Sequence, residues 1–94
     1  MSKSLEEEFE LAMRNIYDEC SSFNYRPIYL LEMIAARGGV GAAKALMARA
    51  PSEGYTRLAL EGRLDLAVES LVEDPRWSDL FTENEKAVAR SRLR

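Results

Sequence analysis

The chain has 94 residues, 47% of them hydrophobic, with a net charge of −3, one cysteine and no histidine. This composition is typical of one small globular domain spanning 1–94, and a single cysteine excludes an internal disulfide. Without histidine the commonest general base and metal ligand are missing, so we expect no catalytic residue, no cofactor and no metal site. With no signal-peptide pattern and no apolar run near ~18 residues, we expect a cytoplasmic protein that does not enter a membrane.

Charge is unevenly distributed along the chain. Residues 1–23 carry two basic and six acidic side chains, residues 24–63 carry six basic and three acidic, and residues 64–94 carry five basic and seven acidic. The middle segment is therefore the one place where an anionic partner could bind. Alternatively, the acidic ends pack near this basic segment within the same chain, and the sequence leaves both readings open.

The first predicted helix runs from a capping box at Ser4 and Glu7 to about residue 20. Its apolar positions recur at steps of three and four, which marks one buried face: Leu5, Phe9, Ala12, Ile16 and Cys20. Cys20 lies on this apolar face, and we interpret it as a packing residue rather than a reactive thiol.

The second predicted helix, at about 27–37, is the central one. Only Glu32 is charged between Ile28 and Ala36, and a helix that is apolar nearly all round belongs inside a bundle. Pro27 suits its first turn, and Gly38 with Gly39 forms a corner before a third helix at about 40–50.

The remaining helices are predicted at about 55–61, 64–73 and 83–93. Gly62 ends the first of these, and Asp74-Pro75 ends the second. Trp77 and Phe81 are expected to form an apolar clasp before a second capping box at Thr82 and Glu85. No strand-like alternation is present, so the predicted fold class is all-α, a compact bundle of five to six short helices.

Two motifs with a known chemistry can be compared with the glycine corner. A phosphate-binding loop needs Gly-Lys-Ser/Thr, but alanines flank Lys44, and both this loop and the dinucleotide motif require a preceding strand. A helix-turn-helix is the better alternative, since Arg37, Lys44, Arg49 and Arg57 could face phosphates. Against it, the segment 40–50 has no Asn, Gln, Ser or Thr to read bases.

The acidic residues Asp65, Glu69 and Glu73 follow one another at steps of four. Without histidine partners, we interpret this ladder as a solvated helix face rather than a catalytic or metal site. We expect Asp65 to cap or pair at the start of its helix, while Arg63 or Arg57 ties it to the bundle. Replacing Asp65 with alanine should then lower the free energy of unfolding by about 1–2 kcal/mol.

The aromatic residues are expected to be mostly core, although tyrosine and tryptophan also anchor interfaces when they are exposed. We predict a Tyr/Met/Arg interaction surface on the middle helices. Its candidate residues are Arg26, Tyr29, Met33, Arg37, Lys44, Met47, Arg49 and Arg57. The predicted structural residues are Gly38, Gly39, Gly62, Arg63, Asp65, Trp77 and Phe81.

From Tyr25 onward the chain resembles a family of small, uncharacterised bacterial helical domains, found alone or fused to larger proteins. The residues that carry the resemblance are Tyr25 to Met33, Gly38-Gly39-Val40, Ala42-Ala43-Lys44, Gly54-Tyr55-Thr56-Arg57-Leu58, Gly62-Arg63-Leu64-Asp65-Leu66, Val68-Glu69 and Leu80-Phe81-Thr82. The family often has tryptophan near Ala59, where this chain departs from it. The resemblance implies a helical domain and transfers no activity.

From the residues we predict a non-enzymatic interaction module that binds another protein, or itself as a homo-oligomer. The alternative is a nucleic-acid-associated accessory protein that uses Arg26 and the other basic residues of the middle segment.

Overall fold

The computed structural model describes residues 3–93 and is entirely helical within that range apart from turns and short loops. The α-helices are α1 (Leu5–Ser21), α2 (Ile28–Met47), α3 (Glu53–Leu60), α4 (Val68–Glu73) and α5 (Glu83–Leu93), with 3-10 helices at Leu64–Leu66 and Pro75–Leu80. The predicted all-α bundle is confirmed. None of the helices in this range combines the length and apolar character needed to cross a membrane.

The helices begin where the side chains can satisfy free backbone N–H groups. At α1, the Ser4 hydroxyl accepts from the Glu7 N–H while the Glu7 carboxylate accepts from the Ser4 N–H. Thr82 and Glu85 form the same reciprocal pair at α5. Ser52 caps α3 by accepting from the Tyr55 N–H, so that this short helix starts at Glu53, two residues before the predicted start.

The glycine corner lies inside α2, where Gly38 has φ +76° and divides the helix into segments 28–37 and 39–47. Gly39 then packs directly on α1, since a Cβ at this position would lie 2.6 Å from the Glu10 Cα. The Gly39 N–H donates to Glu10 Oε1 at 3.0 Å. The glycines therefore allow α1 and α2 to approach closely.

The aromatic part of the core joins α1 to the second 3-10 helix. Phe9 packs edge-on against Trp77 and Phe81, with ring centroids 5.4 and 5.2 Å apart. All of these rings are buried, as are Met13 and Cys20 on the same face of α1. The predicted clasp residues thus close the bundle over the inner face of α1.

Two predicted helix boundaries were wrong. The third helix ends at Met47 rather than near residue 50. The helix predicted at 64–73 is divided at Ala67, whose backbone is extended with ψ 149°. The Ser70 hydroxyl donates to the Leu64 carbonyl across this break. Because the break turns α4 about its axis, Glu69 points into the protein, and the predicted solvated ladder of acids does not exist.

The first half of α2 also differs from its predicted central position. Leu30 and Ile34 are buried against the bundle, but the opposite side of the helix faces solvent. The exposed residues on that side are Ile28, Tyr29, Glu32, Ala35 and Ala36. A helix that is apolar on nearly all sides is thus covered on one side only.

Candidate interaction surface

The predicted interaction residues do not form one patch. Met47 is buried in the core. Lys44 binds Glu85 at 2.7 Å and lies over the Phe81 ring, so its charge is already used within the chain. Met33 is half-buried, while Arg37 and Arg49 are exposed. Without the buried Met47 and the ion-paired Lys44, a smaller group of the predicted residues remains around Tyr29.

Three of the predicted residues, Arg26, Tyr29 and Arg57, line one open groove of about 350 Å³. The groove lies between the start of α2 and the start of α3. Its lining residues are Tyr25, Arg26, Pro27, Ile28, Tyr29, Glu53, Gly54 and Arg57. Leu60 extends the α3 side of this groove, because positions 53, 57 and 60 share one face of a helix.

We call the exposed part of this region the Tyr29 face. It consists of Arg26, Ile28, Tyr29, Glu32, Arg57 and Leu60. Across residues 3–93, the exposed large hydrophobic side chains are Leu11 on α1 and Ile28, Tyr29 and Leu60 on this face, and Leu60 is 83% exposed. Sequence reasoning missed Ile28 and Leu60, because their helical spacing fits burial as well as exposure.

Gly54 allows the start of α3 to pack closely against the tyrosines at and before the start of α2. A Cβ at Gly54 would collide with the Tyr29 hydroxyl and come within 2.9 Å of the Tyr25 hydroxyl. The Tyr29 hydroxyl is also 3.5 Å from the Ser52 hydroxyl at the start of α3. Both tyrosines therefore reach under the N-terminus of α3, while one edge of Tyr29 stays in solvent.

Tyr25 is the half-buried support of the groove. Burial, together with the neighbouring Tyr29, raises the pKa of Tyr25 to about 12. The Arg57 guanidinium lies over the Tyr25 ring, 5.0 Å from its centroid, and also binds Glu61 at 3.2 Å. Arg57 is thus held in place by two contacts at the rim of the groove.

Other charges on the Tyr29 face have no partner. Within the described range 3–93, neither Arg26 nor Glu32 takes part in an ion pair, and both are exposed. The face therefore presents an apolar centre at Ile28 and Tyr29, with a positive charge before it and a negative charge after it along the chain.

A second polar group, which the sequence did not predict, is buried on the opposite end of α2. Arg92 Nη1 donates to Glu69 Oε2 at 3.0 Å and to the Leu46 carbonyl at 3.2 Å. Its Nη2 donates to the Arg49 carbonyl, and the Tyr55 hydroxyl donates to the Arg92 carbonyl. We call Arg92, Glu69, Tyr55 and the carbonyls of Leu46 and Arg49 the Arg92 cluster.

The Arg92 cluster joins α5 to α2, α3 and α4. Its guanidinium donates to the carbonyl of Leu46 in the last turn of α2 and to the carbonyl of Arg49 just beyond that helix. Glu69 is only 5% exposed, and its charge is matched by Arg92. The cavity beside them is about 20 Å³, large enough for about one water molecule but too small for a ligand.

The glycine corner does not offer an open phosphate site. The Gly39 N–H, which a phosphate would need, already donates to the Glu10 carboxylate. The neighbouring groove is lined by Glu6, Glu7 and Glu10 together with Arg37. A bound phosphate would have to displace an internal carboxylate and approach two further acids, so the geometry disfavours nucleotide binding.

The residues expected to tie Asp65 to the bundle form an exposed pair instead. Arg63 donates two hydrogen bonds to Asp65, at 3.1 and 3.2 Å, and these bonds lower the pKa of Asp65. Asp65 does not act as an N-cap. Because an exposed pair is screened by water, its loss should cost less than the value predicted from sequence. Gly62, with φ +70°, provides the turn before this pair.

Cys20 is fully buried, and burial raises the pKa of its thiol, so the thiolate that reacts is disfavoured. In the described range, no group of three or more Cys, Asp or Glu side chains is arranged to hold a metal ion. The Tyr29 face holds three of the four exposed large hydrophobic side chains of residues 3–93, together with the unpaired charges of Arg26 and Glu32.

Comparisons with protein-family models, with curated proteins and with solved structures found no significant match for the chain. The resemblance to small bacterial helical domains therefore stays a prediction. Functional inference depends on the geometry of the Tyr29 face alone.

Proposed function

We propose that this chain is a non-enzymatic interaction module that binds another protein, or a second copy of itself, through the Tyr29 face. The observation that carries the proposal is the half-covered first segment of α2. A helix with apolar residues on nearly all sides is typically buried, and here the bundle covers one side only. A binding partner supplies the missing cover.

The residue types of the Tyr29 face also support this function. Tyrosine and arginine are enriched among the residues that contribute most to protein–protein binding energy. Here the Tyr29 ring is held against Gly54 at the start of α3, and the Arg57 guanidinium is held over the Tyr25 ring. Since both side chains are already ordered, a partner would bind them at a smaller entropic cost than flexible side chains.

We place this module in the bacterial cytoplasm. The proposal rests on the resemblance described above and on a single cysteine that is buried and unpaired. Cytoplasmic proteins rarely depend on disulfides, which agrees with such a cysteine.

Nucleic-acid association is the weaker alternative. Of the basic residues that it requires, Lys44 and Arg57 already bind carboxylates. The helix that would enter a groove buries Ala42, Ala43 and Leu46, so much of its surface is unavailable. A nucleic-acid binder would be retained on a heparin column and released steeply with salt, whereas the interaction module would not be retained.

A matched pair of substitutions tests the proposal. Ile28 and Leu11 are almost equally exposed, at 50% and 51%, but only Ile28 lies on the Tyr29 face. Proteins should be captured from the native host by the wild type and by the Leu11→Glu control, and lost with Ile28→Glu. Both variants should keep the wild-type helical circular dichroism. The same proteins captured by all three baits, or none by any, would contradict the proposal.

A further inference from the structure

We propose that the occupant of the Tyr29 face is a second copy of this chain, bound antiparallel about a twofold axis that passes near Tyr29. The inference deepens the proposed function and rests on it. It follows from two properties of the start of α2: its uncovered apolar side chains, and the order of the charges at Arg26 and Glu32 that flank them.

The uncovered side is mostly apolar over its whole length. Ile28, Tyr29, Ala35 and Ala36 are exposed, and Glu32 is the one charge among them. A second copy centred near Tyr29 would cover Ile28 and Tyr29 with apolar side chains of the other chain, and burial of apolar surface is the main favourable term in association. Leu60 is also exposed, on the side of α3 that carries Glu53 and Arg57.

The charges are arranged so that the face complements itself. Arg26 and Glu32 each lie three residues from Tyr29, on opposite sides of it in the sequence. In an antiparallel pair centred near Tyr29, Arg26 of each copy lies opposite Glu32 of the other, so two ion pairs form. A parallel pair would place Arg26 against Arg26 and Glu32 against Glu32, which is repulsive.

An isologous arrangement of this kind repeats each contact twice, as twofold dimers require.

The expected dimer is weak. A standard interface buries about 800 Å² on each partner. The whole described surface is 5622 Å². One helix side with its neighbours supplies less than a standard interface, so we expect a concentration-dependent equilibrium between monomer and dimer.

Charge reversal tests both the partner and the register. The full chain is studied by sedimentation equilibrium from about 10 µM to about 1 mM, in low salt. The wild-type mass should rise from monomer toward dimer. Arg26→Glu and Glu32→Arg should each weaken the dimer about tenfold or more, because like charges then face each other.

The double variant, Arg26→Glu with Glu32→Arg, should restore the dimer because the reversed charges again oppose each other. Arg90→Glu, at an exposed position on α5, is the matched control and should behave as the wild type. Circular dichroism melts check that each variant is folded, and neutral variants Arg26→Gln and Glu32→Gln serve if a reversal unfolds the chain.

A wild-type chain that stays monomeric over the whole range would overturn the inference. So would a double variant that is no better than the single ones, since the register would then be wrong. Either result leaves the proposed function standing if Ile28→Glu still abolishes capture of another protein and Leu11→Glu does not. If, in addition, Ile28→Glu and Leu11→Glu behaved alike in the capture experiment, the proposed function would fail as well.

Discussion

The Arg92 cluster and the Tyr29 face contain the same types of residue, but they differ in how far the charged side chains are buried and paired. In the cluster, Arg92, Glu69 and Tyr55 are joined by hydrogen bonds to one another or to backbone carbonyls. On the face, Arg26 and Glu32 are exposed and, within residues 3–93, have no ion-pair partner. Arg92, Glu69 and Tyr55 thus stabilise the fold, whereas Arg26 and Glu32 on the Tyr29 face have charges that a partner can bind.

What separates the two regions is burial and pairing, not residue type. A buried charge must be matched within the chain, because its desolvation is otherwise uncompensated. An exposed charge has no such requirement, so it is available to a partner. The comparison therefore predicts that substitutions in the cluster change stability, whereas substitutions on the face change association.

The largest expected effect comes from breaking the cluster. Arg92→Ala leaves the Glu69 carboxylate buried without a counter-charge and removes the hydrogen bonds from Arg92 to the Leu46 and Arg49 carbonyls. We expect a loss of about 3–5 kcal/mol in the free energy of unfolding, measured by urea denaturation. Arg26→Ala is the matched control on the face and should change this free energy by less than about 0.5 kcal/mol. Equal losses in the two variants would contradict the distinction between cluster and face.

A smaller effect concerns the support of the face, Tyr25. Its pKa is raised to about 12 from the ordinary tyrosine value of 10.0, so the folded state favours the protonated phenol. Between these two values the unfolded chain has lost a proton that the folded chain keeps. The contribution of Tyr25 to stability is therefore fully present below pH 10 and is lost as the pH rises toward 12.

Tyrosinate absorbance during an alkaline titration measures this difference. The wild type should show a late ionisation step that Tyr25→Phe lacks. A single step at the ordinary tyrosine pKa in both proteins would show that Tyr25 is not sheltered by α3.

Local sequence signals predicted much of the fold. The capping pairs at Ser4 and Thr82 depend on residues three apart, and the turn at Gly38 depends on glycine alone. Such interactions lie within a few residues, so the sequence specifies them directly. The apolar spacing of α1 likewise predicted its buried face, from Phe9 to Cys20.

The parts that the sequence did not predict depend on distant segments. Glu69 and Arg92 are 23 residues apart, and nothing in either local pattern links them. The break at Ala67, which turns Glu69 inward, has no proline or glycine to mark it. The apolar pattern of α2 indicated that the helix should be covered, but a pattern in one chain does not state whether the same chain supplies the cover.

The central claim is that two copies of the chain meet at the Tyr29 face and not at the Arg92 cluster. Amide chemical shifts of the labelled full chain, followed on dilution from about 1 mM to about 20 µM, test it most directly. The account predicts concentration-dependent shifts at residues 26–36 and 53–60, with the amides of Glu69 and Arg92 unchanged. Shifts that do not change on dilution, or that change only around Leu11 or the cluster, would contradict it.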